Sequence, residues 1–262
     1  LLLVLVLVIG VTTFTATAAE TDHANHCVCG GGCDGVGDHN CADIESWTPF
    51  SESVLEYDSG TKTYSLPTGN YYLTAKTVIT GKSLTIMPGA EVTFCLHGYE
   101  MTTSSRTFKV NGTLNITDCR ETGKIISNTT NAPVIYTYSG GHVNLYNGTL
   151  TGKSGVERNY GGVVALSKDA GSAASQGSSS MTMYGGTIDA SKLTIVKTSS
   201  GSSGSGGAMF INGNATYPAT FIQYGGTIKA AKSVESNGAA IAASAGNIIK
   251  ILGESVVTSG EA

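Results

Sequence analysis

A short phrase recurs along the last two thirds of this chain and limits what it can fold into. Its clearest copies are Asn147-Gly-Thr-Leu150, Gly185-Gly-Thr-Ile188 and Gly225-Gly-Thr-Ile228, with a fainter one at Gly253-Glu-Ser-Val256. Aligned with two degenerate copies, the apolar closing residues Met101, Ile125, Leu150, Ile188, Ile228 and Val256 are spaced by 24, 25, 38, 40 and 28 residues. A unit near 25 residues that grows by insertion cannot bury an apolar face alone, so each copy must stack on its neighbours. A β-sandwich has short strands and regular turns but does not repeat one corner phrase in register. A leucine-rich array needs a leucine and asparagine spacing that is absent here.

Within each unit the pattern alternates as a strand does. Five residues before the second glycine of the phrase stand Phe94, Val143, Met181, Phe221 and Ile249, and three before it Leu96, Leu145, Met183 and Ile251. These point inward, while Asn144, Thr182 and Lys250 point outward. Gln223 fills one inward position, so its rung either shifts register or satisfies an amide internally. A second apolar cluster precedes each phrase, as in Thr107-Phe-Lys-Val110 and Gly206-Gly-Ala-Met-Phe-Ile211. The Ser- and Gly-rich stretches 168–180 and 198–205 read as loops between rungs. The predicted fold is all-β: a right-handed parallel β-helix of about six turns, preceded by a small irregular Cys/His-rich segment.

The phrases Gly206-Gly-Ala-Met-Phe-Ile211 and Phe221-Ile-Gln-Tyr-Gly-Gly-Thr-Ile228 resemble the rungs of pectate-lyase-like right-handed β-helix proteins of bacterial cell surfaces. The resemblance covers roughly residues 70–262 and implies a fold more than a chemistry.

The opening run from Leu1 to Val11, followed by Thr-Ala-Thr-Ala-Ala, reads as the apolar part of a secretory signal. Its small-residue cleavage site gives a signal over 1–19, a Cys/His module over 20–50, a connector and cap over 51–73, and the β-helix over 74–262. The repeat is expected to continue past Ala262. A secreted or cell-surface location follows, with no membrane association once the signal is removed. Charged residues make up 13% of the chain with a net charge of −4, which gives no basic footprint for nucleic acid.

His23, His26 and His39 lie among Cys27, Cys29, Cys33 and Cys41, a dense set of nitrogen and sulfur ligands that suits tetrahedral zinc. The preferred quartet is His26, Cys27, Cys29 and His39, because Gly30 to Gly32 let the backbone fold back. Cys33 and Cys41 either ligate or pair, and two disulfides stapling a coreless segment is the competing reading. Cys95 and Cys119 occupy equivalent positions when Met101 and Ile125 are aligned, which makes them disulfide candidates between stacked rungs.

No catalytic set is expected in this segment. The solenoid acids are scattered, and the nearest pair, Asp118 and Glu121, reads as a turn cap. Gly140-Gly-His142 lacks the acidic company a hydrolase needs. Tyr146, Tyr184 and Tyr224 share one position in successive turns, where they either stack on sugar rings or stiffen the scaffold. The expected function is a stalk or an adhesin-like module for polysaccharide or cell-surface glycan. The alternative is a polysaccharide lyase or glycoside hydrolase whose catalytic groups lie outside the segment.

Overall fold

A computed structural model describes residues 23–29, 42–129, 132–153, 157–158, 162–168, 177–195, 204–233, 236–237 and 240–258. The chain is all-β. Three long sheets dominate it, and after residue 76 the rungs take their strands from these sheets in rotation. Thr77–Ile79 belongs to the first sheet, Leu84–Ile86 to the second and Glu91–Cys95 to the third; Glu100–Thr103 then returns to the first. Every pairing between successive rungs is parallel, an arrangement consistent with a β-helix. Among the described residues no helix is long and apolar enough to cross a membrane.

The repeated phrase marks the corner leading into the first sheet. Its closing residues form one column: Met101 pairs with Ile125, Ile125 with Leu150, Leu150 with Ile188, and Ile188 with Ile228. All five are fully buried. Similar columns run through the second sheet, as in Leu84, Phe108, Ile135, Val164 and Met209, and through the third, as in Val92, Leu114, Val143, Met181 and Phe221. Each such side chain contributes about 1.5–3 kcal/mol by leaving water, and the columns meet in one continuous core. At Gly226, φ is +81° and an added Cβ would lie 2.6 Å from the Gly186 carbonyl oxygen. Rungs in close contact with a left-handed corner leave room only for glycine there.

Corner length corrects three expected alignments, one of them that of Cys95, which pairs with Thr117 rather than Cys119. Phe94 pairs with Ile116, and Ile116 with Leu145, so Phe94 belongs to the Leu145 column and Val92 takes the place beside Leu114 and Val143. The corners after Phe94 and Ile116 are two and four residues longer than the one after Leu145, and counting back from Met101 therefore misplaces that rung. In the last rung Val257, not Val256, pairs with Ile228, because that corner also has one extra residue. Gln223 keeps its register and is fully buried, with its Nε2 donating to the Gly226 carbonyl at 3.0 Å. Of the two options for this position, the rung keeps its register and the amide is half satisfied internally: Nε2 is bonded, while Oε1 is buried without a partner among the described residues.

Residues 23–29 and 42–50 lie at the first rungs. His26–Cys27 pairs antiparallel with Asp43–Ile44, and Thr48–Pro49 adds a parallel strand beside Tyr71–Tyr72. Phe50 packs edge-on against Phe94 with centroids 5.1 Å apart, which joins this end to the core. The expected signal over 1–19 and residues 169–176 lie outside the described residues.

Candidate metal centre

The two long corners build a site. Side chains alternate along Glu91–Cys95, so Val92 and Phe94 enter the core and Cys95 points outward. Cys95 is nonetheless fully buried, in the same outward column as Tyr72, whose ring packs against His23 of the N-terminal segment. One rung on, the corner after Thr117 carries Cys119 back beside Cys95, with the two sulfurs 3.7 Å apart as free cysteines rather than a disulfide.

Asp118 shapes this corner. It is fully buried, and its carboxylate accepts backbone N–H bonds from Gly98 at 2.6 Å, Arg120 at 3.3 Å and Gly123 at 2.5 Å. Both rungs are thereby tied to one side chain; the earlier corner holds the left-handed residues His97 at φ +50° and Gly98 at φ +77°, and the Asp118 corner holds Glu121 at φ +59°. Asp118 thus caps its own turn through Arg120 and Gly123 and, through Gly98, also bridges to the neighbouring rung. Asp118→Ala is expected to cost about 2–4 kcal/mol, since three amides lose their acceptor. As a group outside the ligand set that positions Cys119, its loss should also weaken metal retention about 10–100-fold. Thermal melting and competition with a chelator measure the two effects.

The N-terminal segment supplies the nitrogens. His23 packs against Trp47, Tyr72, His26 and His97 at centroid distances of 4.7, 4.4, 4.7 and 4.8 Å. The Nε2 atoms of His23 and His26 lie 3.1 Å apart, and His23 Nε2 lies 3.8 Å from the Cys119 sulfur. Nδ1 of His26 donates to the Cys27 carbonyl at 2.6 Å, which directs the lone pair of the neutral ring onto Nε2. Ligand atoms of His23, His26, Cys95 and Cys119 all fall within 4.8 Å of one another. Four such groups could hold a metal ion.

The electrostatics suit a thiolate. The hydrogen bond from Cys95 outweighs burial and, with His23 and His26, holds the Cys119 thiol far below its usual range. Cys95 moves the opposite way, because its hydrogen bond to Cys119 and its burial favour the protonated form. Burial works against a charged His26, but the bond to Cys119 and the Cys27 carbonyl raise its pKa. His97, lowered chiefly by burial, places Nδ1 3.2 Å from the Leu73 carbonyl and completes the wall.

This cluster shares His26 with the quartet expected from the sequence. Cys27 is buried beside it and Cys29 is half-buried, but neither is among the four; His39, Cys33 and Cys41 lie outside the described residues. Among the described residues, His26 is instead grouped with His23, Cys95 and Cys119. Counting back from Met101 and Ile125 makes the two sulfurs equivalent, but the register pairs Cys95 with Thr117 and Cys119 reaches Cys95 through its longer corner; nothing local joins either to histidines more than 65 residues earlier.

Tyr146, Tyr184 and Tyr224 continue the outward column of Cys95 in later rungs, each following a registered pair. Their rings are stacked at 4.7 and 5.6 Å with planes 7° and 10° apart. Burial, then the neighbouring Tyr184, raises the Tyr146 pKa. Facing pairs cover each other, which leaves little ring face for a sugar. Elsewhere, exposed His142 bonds the Ser180 hydroxyl at 2.7 Å.

No family model, curated protein or solved structure matches this chain.

Proposed function

We propose that the chain is a secreted, surface-displayed right-handed β-helix of about six turns, of the pectate-lyase-like kind, and that it serves as a stalk or glycan-binding module with its N-terminal end fastened by zinc. The observation that carries the scaffold reading is the unbroken stacking of equivalent residues in three sheets. For zinc the support is metric. Tetrahedral coordination with Zn–S of about 2.3 Å and Zn–N of about 2.0–2.1 Å requires sulfur–sulfur, nitrogen–nitrogen and mixed separations of roughly 3.8, 3.3 and 3.6 Å. One separation of each kind is 3.7, 3.1 and 3.8 Å here, and all six fall within 4.8 Å, so the remaining mixed pairs close by up to about 1 Å on binding. Two imidazoles and two thiolates leave no open position, so the metal is structural. It fastens residues 23–29 to two rungs.

The glycan-binding face is the outward side of the first sheet. A groove of about 520 Å³ runs there, lined among others by Lys76, Lys124, Lys153, Lys192, Glu100 and Asp189. Glu100 is held by Lys76 at 2.8 Å and Asp189 by Lys229 at 3.6 Å. The two acids stand three rungs apart, roughly 14 Å at the usual strand spacing. Paired glycosidase carboxylates are about 5–9.5 Å apart, so this groove suits retention of an acidic polysaccharide better than its cleavage. Glycan-array binding of the full chain tests the reading. Uronate-containing glycans should be retained at low salt, and Lys124→Glu with Lys153→Glu should reduce retention at least tenfold. Retention unchanged in that variant but lost in a Tyr146→Ser, Tyr184→Ser, Tyr224→Ser variant would move the site to the tyrosine ladder.

A further inference from the structure

The zinc reading leaves one property of the cluster unused: its two sulfurs are also neighbours of each other. We infer that Cys95 and Cys119 form a thiol–disulfide exchange site for small-molecule disulfides, and that forming their bond expels the metal; the second half of this inference rests on the zinc assignment. The sulfurs lie 3.7 Å apart, and a disulfide needs about 2.05 Å. Rotation about the two Cα–Cβ bonds is the motion that supplies this approach. Strand pairing between Glu91–Cys95 and Thr113–Thr117 keeps the two backbones adjacent throughout.

Access sets the order of events. Cys95 is fully buried, whereas Cys119 is partly exposed and is followed by the exposed residues Arg120, Glu121 and Thr122. The Cys119 thiolate therefore attacks one sulfur of the incoming disulfide, forms a mixed disulfide and expels the first small thiolate. The Cys95 thiolate, which gives up zinc, or its proton in the metal-free chain, then attacks the Cys119 sulfur and expels the second. Two electrons pass from the protein pair to the small disulfide. One zinc ion leaves with them, because neither sulfur keeps the charge that held it. His23 and His26 lose their anchor, and the strand His26–Cys27 is left with its pairing to Asp43–Ile44.

The test uses the full chain, reduced and supplied with zinc, then treated with oxidised glutathione while a chromogenic chelator reports released metal. One zinc should appear for each two thiols lost. Tryptic mapping should find the Cys95 peptide joined to the Cys119 peptide, and dithiothreitol with zinc should restore the starting state. A Cys27→Ser, Cys29→Ser variant should behave the same. Zinc retained while other cysteines are consumed, or release with Cys95 and Cys119 still reduced, overturns the inference. Zinc content before oxidant is added separates the two readings: a reduced chain without zinc sinks the metal assignment, and the peptide map then decides the exchange alone.

Discussion

Phe94→Ala is expected to destabilise this protein by about 3–5 kcal/mol, the range for truncating a fully buried aromatic residue. Phe94 has no exposed surface, and its ring makes edge contacts with Phe50 at 5.1 Å and Phe108 at 5.7 Å. It thus joins three parts of the molecule: the N-terminal end, the third sheet and the second. A cavity there cannot be filled by one neighbour, because Phe50 is held by its N–H bond to the Tyr72 carbonyl at 2.8 Å. Stability in a stacked array is close to a sum over neighbouring units, so the loss should be local. Amide exchange should rise across residues 48–117 and change little in Thr220–Gln223. Denaturant unfolding gives the magnitude; uniform loss of protection along the chain would contradict the stacked-unit description.

Removal of the metal is the second large effect. At zinc a thousandfold above its dissociation constant, binding adds about 4 kcal/mol to whatever structure the ligand requires. Chelation, or His23→Ala, which deletes one ligand and one side of the Trp47, Tyr72 and His97 packing, should therefore release residues 23–29. The rungs beyond Leu145 should keep their protection, since their columns close without that segment. Zinc titration of wild type against the variant, followed by thermal melting, measures the difference. A melting temperature in wild type that ignores zinc would count against a fastening role.

The sequence reveals the first sheet through its closing residues whatever the corner length, and the third sheet where corners have equal length. Met101, Ile125, Leu150, Ile188 and Ile228 share a column because each closes the same phrase, and Tyr146, Tyr184 and Tyr224 stack because the corners after Leu145, Met183 and Gln223 match. Phe94 and Val256 are misplaced by sequence spacing because their corners carry extra residues. The same extra residues make the candidate metal centre. In the second long corner they let Asp118 turn inward to bind three amides and bring Cys119 across to Cys95. Sequence patterns report neighbours on a strand or rung, whereas this cluster joins three segments through a corner that has no periodicity. His26 could be found because it sits in a local ligand-rich run; Cys95 and Cys119 are linked in the sequence only by counting back from Met101 and Ile125, an alignment that the register, which pairs Cys95 with Thr117, does not keep.

The central claim is that His23, His26, Cys95 and Cys119 together bind zinc, and X-ray absorption at the zinc edge of the reduced full chain tests it most directly. The account predicts one zinc per chain with two sulfur neighbours at about 2.3 Å and two nitrogen neighbours at about 2.0–2.1 Å, lost when Cys95 and Cys119 are both changed to serine. A shell of four sulfurs, or a metal content unchanged in that double variant, would contradict it.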